Sequence, residues 1–371
     1  MKFILEKYKA PILAAFGNPL LDMCTRITDL NILNTYGLTL NCEKELKEGE
    51  LKIFADIRNR YEVEYHAGGS AQNTLRIFQW LINSPFYSVF LGGIGEDEEG
   101  KMLESLVKNA GVDTRYKYHK NHATGSCLAL ITGENRCLLA NLCAANVYKP
   151  QDLEVEENID ILNKVYMIYI ESFFISHSYD VALQLLDFCK TRKTPLIFSI
   201  GSVYMFNDFA RELITLSKNA NIVFGNKEEF MELARAMGLN LMNVKSTLLA
   251  LHSMINKEHE FLDHGFGQYL KQLGKVLVMT DGKNPVLCVY GGINSKPVLV
   301  EYAVPEMKVN LVKDTTGAGD SFLAGFLVGM FALNNIKTCL AWGCWTARQV
   351  IQLVGCQVPS CQPDNILTIK C

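Results

Sequence analysis

Short apolar runs alternate with amphipathic segments between residues 164 and 292, and this alternation restricts the fold more than any other feature of the sequence. The runs are KVYMIYI, PLIFSI, ANIVFG, KVLVMT and VLCVYGG, and helical periodicity marks segments 178–192, 207–218, 226–237 and 244–256. Strands that alternate with helices usually pair in parallel and are covered on both faces, so they are apolar almost throughout. We therefore predict an α/β protein, a three-layer α/β/α domain with a mostly parallel central sheet.

Two further segments have a different character. Residues 24–66 are polar and include the alternating run YEVEYHA, and residues 122–148 have the pattern of a β-hairpin that turns at 133–135. Alternation of polar and apolar residues is typical of strands with one exposed face. We expect the two segments to build one small, separate β-sheet with helical excursions.

Composition excludes several classes of protein. The chain has 371 residues, 49% of them apolar, and a net charge of −3, so it can bury a large core and has no electrostatic affinity for nucleic acid or an anionic membrane. No stretch reaches about 18 uncharged apolar residues, and the first 17 residues lack a signal-peptide pattern. The 12 cysteines include no C-x-x-C pair, which argues against zinc, and we expect them to be reduced thiols of an intracellular protein.

A glycine-rich turn precedes an acid and a long apolar segment near the C-terminus. Gly317, Ala318 and Gly319 stand before Asp320, and residues 321–333 are almost uninterruptedly apolar. Such a turn lets backbone N–H groups converge on an anion at the positive end of a helix. A carboxylate beside a bound phosphate is repulsive unless it accepts a proton, so we interpret Asp320 as a general base for phosphoryl transfer. The structural alternative is a helix start with an Asp cap.

Two earlier sites indicate a polyhydroxylic ligand. The stretch 66–73, HAGGSAQN, begins a helix that should run to about Ile82, and its paired glycines allow close approach of a ligand to the backbone. A glycine loop with a Ser N-cap explains the same residues structurally. Asp22 follows the apolar strand 11–16, where open α/β sheets place ligand contacts, although a turn-capping Asp is equally consistent.

Two positions after later strands could contact a nucleotide. Asn226 and Glu229 lie one turn apart at a helix start, which suits Mg²⁺ bound through water and equally suits a capping box. Residues 280–283, TDGK, could touch a phosphate or form a plain hairpin turn. The aromatic residues Phe173, Phe174 and Tyr204 could stack on a base, although core packing is the commoner role of such side chains.

Two other glycine patterns are misleading. Residues 95–101 have P-loop spacing, but Met102 replaces the Ser or Thr that would hold Mg²⁺, and four acids would repel phosphates. The start of a dinucleotide fingerprint at 93–95 has Glu98 in place of its third glycine. A P-loop is therefore disfavoured, and a Rossmann dehydrogenase is excluded.

Together, HAGGSAQN and DTTGAGDSFLAGFL resemble the two signatures of the PfkB, or ribokinase-like, carbohydrate kinases. Within that family, the stretches GNPLLDM, EYHAGGSAQN, ATGSCLALITGENRCLLANLCAANVY, FGNKEE and DTTGAGD are similar to those of the eukaryotic adenosine kinases, over about residues 12 to 360. The resemblance implies a large domain and a small lid that closes over the sugar. The large domain would comprise residues 1–18, 68–120 and 146–371, and the lid 19–67 and 121–145.

The resemblance also implies roles for individual residues. Asp320 would be the catalytic base, Gly317, Ala318 and Gly319 the anion hole, and Arg136 would reach the transferring phosphate. Ribose would be bound by Asp22, Gly68, Gly69, Ser70 and Asn73, and the remaining nucleoside contacts would come from Asn18, Cys127, Leu138, Ala140, Leu142, Phe174 and Tyr204. The nucleotide would be bound by Asn226, Thr280, Gly282, Thr316, Gly317 and Gly319, and Glu229 would hold Mg²⁺ through water.

The implied activity is the transfer of the γ-phosphate of ATP, with Mg²⁺, to the 5′-hydroxyl of adenosine, giving AMP and ADP in purine salvage. A cytoplasmic monomer, with the nucleus as a second location, is the expected form. Two alternatives stay open: a related kinase of another nucleoside or sugar, and a non-catalytic nucleoside-binding relative. The apolar lid residues Leu138, Ala140 and Leu142 favour a substrate that carries a base. Glu43, where a Gln is usual, the run SIGSVY at 199–204, and Cys344, where a His is usual, depart from the adenosine kinase pattern and bear on selectivity.

Overall fold

The computed structural model describes residues 2–40, 42–133, 135–240, 243–262, 265–361 and 363–369. These residues form fourteen strands, fourteen α-helices and five short 3-10 helices. The strands are β1 Leu13–Phe16, β2 Leu20–Arg26, β3 Glu43–Glu45, β4 Glu64–Gly68, β5 Ser88–Gly95, β6 Asp113–His119, β7 Ser126–Thr132, β8 Asn135–Asn141, β9 Met167–Glu171, β10 Leu196–Ser199, β11 Ile222–Asn226, β12 Lys275–Asp281, β13 Asn284–Gly291 and β14 Val298–Tyr302.

The helices cover most of the sequence between these strands. They are α1 Lys2–Lys7, α2 Asn31–Thr35, α3 Lys52–Arg60, α4 Ser70–Ile82, α5 Glu98–Asn109, α6 Pro150–Leu153, α7 Glu156–Leu162, α8 Ser172–Arg192, α9 Phe206–Asn219, α10 Lys227–Ala236, α11 Val244–Ile255, α12 Gly265–Leu273, α13 Ala318–Phe331 and α14 Ile336–Val350. None of the helices formed by the described residues is long and apolar enough to cross a membrane.

Nine strands form the large sheet, in the order β14-β13-β12-β11-β10-β9-β1-β5-β6. The strands from β12 to β6 pair in parallel, and β13 and β14 extend the sheet as antiparallel strands. The prediction of a three-layer, mostly parallel α/β domain is therefore confirmed. Because β1 lies between β5 and β9, ligands are expected at the carboxyl ends of these central strands.

Each face of the large sheet has its own hydrophobic core. Leu13 and Ala15 of β1 belong to the core on one face, which includes residues of α4, α13 and α14. Ala14 and Phe16 belong to the core on the other face, with residues of α8, α9, α10 and α11. Successive side chains of a strand point to opposite faces, so a strand that is covered on both faces must be apolar at every position.

The second sheet has five strands, in the order β3-β8-β7-β2-β4, and forms the lid. Strand β2 pairs in antiparallel fashion with β4 and in parallel with β7, so the two polar segments of the sequence meet in one sheet, as expected. A small core that includes Met23, Ile57, Leu128 and Leu139 stabilises it, and Ile57 belongs to α3. The exact domain boundaries given above remain a prediction.

The structure corrects one expectation and adds elements that the sequence did not predict. Cys42 and Cys137 form a disulfide, so the thiols of the chain are not all reduced. Among the described residues, nine further cysteines lie outside this disulfide and are buried or half-buried. Helix α12 and the edge strand β14 were not predicted, because neither segment has a strong period. The misleading stretch 95–101 is a helix start, at which Asp97 accepts a hydrogen bond from Gly100 N at 2.7 Å.

Candidate active site

A cavity of about 700 Å³ lies at the carboxyl ends of the central strands, between the large sheet and the lid. It brings together most of the residues that the sequence singled out, although they are far apart in the chain. The predicted residues that line it are Asn18, Asp22, Gly69, Ser70, Asn73, Cys127, Arg136, Leu138, Ala140, Leu142, Tyr204, Asn226, Glu229, Thr316, Gly317, Ala318, Gly319 and Asp320.

The glycine-rich turn before α13 has a fixed shape. Gly317 has φ +72°, a left-handed conformation that favours glycine, and a Cβ there would overlap the side chain of Cys356. Asp314 stabilises the turn, because its Oδ1 accepts hydrogen bonds from Thr316 N at 2.9 Å and from Thr316 Oγ1 at 2.7 Å. Its Oδ2 accepts one from Gly355 N at 2.8 Å. Residues 317–320 line the cavity, and a helix start leaves N–H groups without intrahelical partners, which is the arrangement that binds anions in proteins.

Asp320 lies in the first turn of α13, and both of its carboxylate oxygens are engaged. Ser70 Oγ donates to Oδ1 at 2.7 Å, and Asn73 Nδ2 donates to Oδ2 at 3.1 Å. Burial raises the pKa of the Asp320 carboxyl to about 6, and the hydrogen bonds from Ser70 and Asn73 and the charge of Arg136 oppose this rise. The carboxyl is therefore largely ionised at neutral pH and can accept a proton.

A buried arginine orients Asn73. Arg76 Nη1 donates to Asn73 Oδ1 at 3.1 Å, which turns the amide nitrogen of Asn73 toward Asp320. The same guanidinium donates to the carbonyl oxygens of Ala67 and of Cys356, the latter at 2.8 Å. The position of Asp320 thus depends on two other parts of the chain, residues 67–76 and the segment at Cys356.

The loop before α4 allows close contact between the backbone and the lid. A Cβ at Gly68 would collide with the Asp22 carboxylate, and Gly69, with φ +87°, lies against the carbonyl oxygen of Asn18. Asp22 is buried, and this burial raises the pKa of its carboxyl to about 7, while the charge of Arg76 lowers it. Gly68 itself does not line the cavity, and it serves here to admit Asp22.

Sequence reasoning missed Glu171, which lines the cavity at the end of β9. The side chain is 1% exposed, its Oε1 accepts a hydrogen bond from Asn18 N at 2.8 Å, and its Oε2 has no hydrogen-bond partner. Burial raises the pKa of this carboxyl to about 8, so it is mostly protonated at neutral pH. An acid directly after a buried strand is the signal that drew attention to Asp22, and it could have identified Glu171 in the same way.

Apolar and aromatic side chains form the wall on the lid side and the adjacent rim. Leu138 and Ala140 of β8 line the cavity, and Phe173 faces Tyr204 with ring centroids 6.1 Å apart. The structure places Phe174 elsewhere, in the core against Phe16 and Tyr148. Adjacent residues of a helix point in different directions, and the sequence alone could not show which of the two phenylalanines faces the cavity.

Arg136 connects the lid to the glycine-rich turn. Its Nη1 donates to Thr315 Oγ1 at 2.9 Å and lies 3.8 Å from Asp314 Oδ1. Arg136 lies in β8 of the lid, so its guanidinium crosses the cavity to the turn before α13. A cation at this point can neutralise an anion that is bound in the turn.

Asn226 and Glu229 form the capping box that was the structural alternative. Asn226 N and Nδ2 donate to the two Glu229 oxygens at 2.9 and 2.6 Å, and Glu229 N donates to Asn226 Oδ1 at 2.9 Å. Burial raises the pKa of Glu229 to about 7. Within the described ranges, no group of three or more His, Cys, Asp or Glu side chains is arranged to hold a metal ion. The donors therefore fit a hydrated cation more readily than one coordinated directly.

The residues of the predicted TDGK contact lie beside this capping box. Thr280 pairs with Asn226 across β11 and β12, and Gly282, with φ +56°, turns the hairpin between β12 and β13. Neither residue lines the cavity. Asp281 forms an ion pair with Lys227 at 3.3 Å, which shows that the turn also has a structural role.

The family model for pfkB family carbohydrate kinases matches residues 36–364. This chain belongs to that family. Kinases of the PfkB family are phosphotransferases that use ATP, typically with Mg²⁺. The family match agrees with the geometry of the cavity, which combines a glycine-rich turn at a helix start, a buried carboxylate and an apolar lid wall.

Relatives of similar length extend this assignment. Adenosine kinase 2 of Arabidopsis thaliana is 29% identical over 354 residues, which cover 95% of this chain and 97% of the relative. Adenosine kinase of Dictyostelium discoideum is 28% identical over 349 residues, covering 94% of this chain and 96% of the relative.

Two solved structures share the fold over nearly the whole chain. The Anopheles gambiae adenosine kinase in complex with P1,P4-di(adenosine-5) tetraphosphate has a TM-score of 0.84 and 27% identity, with 95% of this chain and 99% of that chain covered. The Schistosoma mansoni adenosine kinase in complex with 2-fluoroadenosine has a TM-score of 0.84 and 25% identity, with 96% and 99% covered. The PfkB kinase described here is thus adenosine kinase-like in sequence and in fold.

Proposed function

We propose that this chain is an adenosine kinase, which transfers the γ-phosphate of ATP to the 5′-hydroxyl of adenosine and releases AMP and ADP. One observation carries the proposal: Asp320, bound by Ser70 and Asn73 at the start of α13, shares a cavity with the apolar lid wall. A base-bearing sugar can fill such a cavity, with its hydroxyl next to the carboxylate. The related adenosine kinases, two of them solved with adenosine-containing ligands, support the same substrate.

Asp320 acts as the general base in the proposed mechanism. The acceptor hydroxyl replaces Ser70 or Asn73 as a donor to the carboxylate, which brings the hydroxyl oxygen into line with the phosphate in the glycine-rich turn. Phosphoryl transfer has a loose transition state, so the proton can leave late and the base need not be strong. A carboxyl with a pKa of about 6 is ionised at neutral pH and meets this requirement.

The turn and Arg136 stabilise the negative charge of the transferring group. The N–H groups at the start of α13 receive the phosphoryl oxygens, and the helix dipole favours the anion. Arg136 already contacts Thr315 of the turn, so a small movement of its guanidinium brings it to the phosphate. The charge that develops in transfer then lies between a lid cation and a rigid helix N-terminus.

The metal would be bound to ATP and contacted by Asn226 and Glu229 through its hydration shell. When bound, Mg²⁺ neutralises charge on the phosphates of ATP. The capping box gives these two residues a fixed position at the start of α10, where they line the cavity.

Asp22, Gly69 and Asn73 would bind the ribose hydroxyls, and the lid residues Leu138 and Ala140 would cover the base opposite Phe173 and Tyr204. An apolar lid wall suits a planar base better than it suits a free sugar, whose hydroxyls would be left without partners there. Phe174 is omitted from this set because its ring is buried in the core.

The test compares AMP formation from adenosine and MgATP for the native chain and Asp320→Asn, with inosine, guanosine and ribose as alternative acceptors. We expect adenosine to be preferred and the variant to lose about 10²–10⁴-fold in kcat, the usual contribution of a general base. The adenosine Kd should change little, because Asn can still accept one hydrogen bond.

Three outcomes would contradict parts of the proposal. If the native chain binds adenosine but forms no AMP, the chain is a binding protein. If it phosphorylates another acceptor better, the fold and the mechanism stand and the substrate is wrong. If Asp320→Asn retains more than a tenth of the native kcat, Asp320 is not the base.

A further inference from the structure

Arg76, in the second turn of α4, is a buried cation of which only 6% is exposed. Its Nη1 donates to Asn73 Oδ1 at 3.1 Å and to the carbonyl oxygen of Ala67 in β4. Its Nη2 donates to the carbonyl oxygen of Cys356, beyond α14, at 2.8 Å. The guanidinium is therefore held from the lid, from α4 and from the C-terminal part of the chain.

The direction of the Asn73 amide follows from this contact. An amide can present its oxygen, which accepts, or its nitrogen, which donates, whereas a guanidinium only donates. Arg76 therefore binds the amide oxygen, and the amide nitrogen is left to donate to Asp320 Oδ2 at 3.1 Å. Ser70 also donates to Asp320, but a hydroxyl can rotate to accept instead, so Ser70 does not select one form of the carboxyl.

The direction of the amide bears on the charge of Asp320. A donor favours the ionised carboxylate, whereas an amide turned the other way places its oxygen against the carboxyl and favours the protonated acid. The hydrogen bond from Asn73 is one of the contacts that oppose the rise in the Asp320 pKa caused by burial. A general base has to be ionised to accept the proton of the acceptor hydroxyl.

We propose that Arg76 is a positioning residue: by binding the oxygen of the Asn73 amide, it keeps the amide nitrogen directed at Asp320 and so keeps the base able to accept a proton. The inference rests on the proposed function and adds to it the group that maintains the base. Arg76 is not a catalytic residue, because it does not line the cavity and acts through Asn73.

The first test measures kcat for adenosine and MgATP as a function of pH, for the native chain and Arg76→Met. The native kcat should rise with pH as Asp320, with a pKa of about 6, becomes ionised. In the variant the amide can turn, and we expect this rise to move to higher pH by about one unit, the scale of one hydrogen bond to a charged group. The kcat should then fall about fivefold near pH 6 and change less than about threefold near pH 9.

The second test needs no turnover. Carbon-13 NMR of the ligand-free chain, labelled at the aspartate carboxyl carbons, gives the pKa of Asp320, with Asp320→Asn as the assignment. We expect the same rise of about one unit in Arg76→Met. If the native chain forms no AMP, the proposed function fails, and this titration still decides the role of Arg76.

Other titratable and charged groups face Asp320, and they are unchanged in the variants. They are Arg136 and Glu43 of the lid, Asp22 of β2, Tyr169 and Glu171 of β9, Glu229 of α10, and Cys356. Because every variant retains them, the difference between the native and the variant profiles reports the loss of Arg76.

Lys275→Met is the matched control. Lys275 is another buried cation, and its Nζ donates to the carbonyl oxygens of Ser217 and Ala220, both at 2.7 Å. It lies at the start of β12, whereas the cavity lies at the carboxyl ends of the strands. Its loss also leaves buried carbonyl groups unpaired, so we expect lower stability with no change in the pKa of Asp320. An equal rise in both variants would overturn the inference.

Arg76→Lys tests rescue by a conservative change. An ammonium group also only donates, and residues three apart on a helix are neighbours, so Lys can still bind the oxygen of Asn73. We expect the Asp320 pKa to stay within about half a unit of the native value. If Arg76→Lys raises this pKa as much as Arg76→Met does, a donor at this position is not what orients the amide, and the inference fails.

The background Asn73→Ala shows whether Arg76 acts through the amide. With the amide removed, Arg76→Met should no longer raise the pKa of Asp320, because contacting residues are not additive. A rise of the same size in this background would mean that Arg76 acts by its charge alone, and the inference would be wrong. A kcat that falls equally at every pH, with an unchanged pKa, would assign Arg76 only to the fold.

Arg76→Gln keeps the inference testable if Arg76→Met does not fold. Glutamine is neutral and can accept as well as donate, so both directions of the Asn73 amide become available. We expect a smaller rise in the pKa of Asp320, of about half a unit. A folded Arg76→Gln with the native pKa would overturn the inference.

Discussion

The two walls of the cavity differ in how their side chains are fixed. On the large domain, Asp320 is fixed by Ser70 and Asn73, and Asn73 is oriented by Arg76, which is buried. On the lid, several polar contacts to the large domain are exposed, among them Arg136 with Thr315, Glu45 with His177, and Arg58 with Glu99. Exposed pairs of this kind contribute roughly 0–1 kcal/mol each.

This difference suggests a division of roles. The chemistry depends on groups whose geometry is already determined by a rigid core, as preorganised catalysis requires. We expect substrate entry and selection to depend on the lid sheet, several of whose exposed contacts can be broken at little cost in free energy. Substitutions in the two walls should therefore affect different kinetic parameters.

The largest effect is expected from Gly317→Ala, which alters the rigid wall. The added methyl group would overlap Cys356 at a residue with φ +72°, so the turn must shift. We expect kcat to fall by roughly 100-fold or more, comparable to the loss of an oxyanion-hole donor. Steady-state kinetics and the adenosine Kd measure this effect.

Gly238→Ala is the control for backbone strain. Gly238 has a similar φ of +77°, and nothing lies within 4 Å of its Cβ position. The Gly238→Ala variant should have the same backbone strain as Gly317→Ala, which lowers the free energy of unfolding by about 1–2 kcal/mol, without a loss of kcat. Equal kcat losses in the two variants would show that the turn is not a preformed anion site.

Arg136→Ala tests the one lid residue to which we assign a part in the chemistry. We expect kcat to fall by about 100-fold, because a cation next to the phosphoryl group is lost, while the adenosine Kd stays within about threefold. Arg58→Ala removes another contact between lid and large domain, the ion pair with Glu99 at 3.0 Å, away from the cavity. A similar kcat loss in both variants would mean that Arg136 only closes the lid.

Glu171→Gln tests the ionisation of the rigid wall through stability. Burial raises the pKa of this carboxyl from an ordinary 4.5 to about 8, so the folded state binds the proton more tightly than the unfolded state does. Its contribution to stability is fully present below pH 4.5 and is lost as the pH rises through about 8. Between pH 6 and pH 9, we expect the native chain to lose on the order of 2 kcal/mol more unfolding free energy than the variant does.

Urea unfolding at the two pH values gives this difference, and other titrating groups cancel in the comparison. Glu48→Gln, at an exposed position of the lid, is the control. Between pH 6 and pH 9, its unfolding free energy should fall by as much as that of the native chain does. If the unfolding free energy of Glu171→Gln falls by as much as that of the native chain, Glu171 is ionised in the folded protein at neutral pH.

The smallest effect is expected from opening the Cys42–Cys137 disulfide, which joins the chain next to β3 to β8 of the lid. Cys42 precedes Glu43, so its loss should loosen one side of the base site. We expect Cys42→Ser to raise the KM for adenosine by roughly threefold, the scale of one exposed contact, with kcat unchanged. The native chain with reductant should match the variant, and Cys361→Ser should have no effect. An unchanged KM would show that the disulfide does not position Glu43.

The sequence predicted the rigid wall better than the lid. The βα alternation and the turn before Asp320 are local patterns, and parallel pairing brings strand ends together, so the large sheet and the start of α13 could be predicted. The hydrogen bonds from Ser70 and Asn73 to Asp320 join residues about 250 positions apart, and no local pattern predicts them.

The lid shows more clearly which features could not be predicted from the sequence. The two polar segments were expected to share a sheet, but the pairing of β3 with β8, which places Glu43 and Cys42 beside Leu138 and Cys137, depends on register. Register is determined by packing between distant strands rather than by local propensity. The prediction of Phe174 as a nucleoside contact was wrong, since Phe173 lines the cavity and Phe174 is buried in the core.

The contacts of Arg76 with Asn73 and with the carbonyl oxygen of Cys356 have a consequence for synthesis of the protein. These two partners lie far apart in the sequence, at residues 73 and 356. A ribosome that has already translated the lid and most of the large sheet still lacks the segment that completes this network. A nascent chain can therefore fold much of its cavity while Asn73, and with it the base, is not yet oriented. The segment around Cys356, which is translated after the lid and the large sheet, then determines when Asp320 reaches its final position.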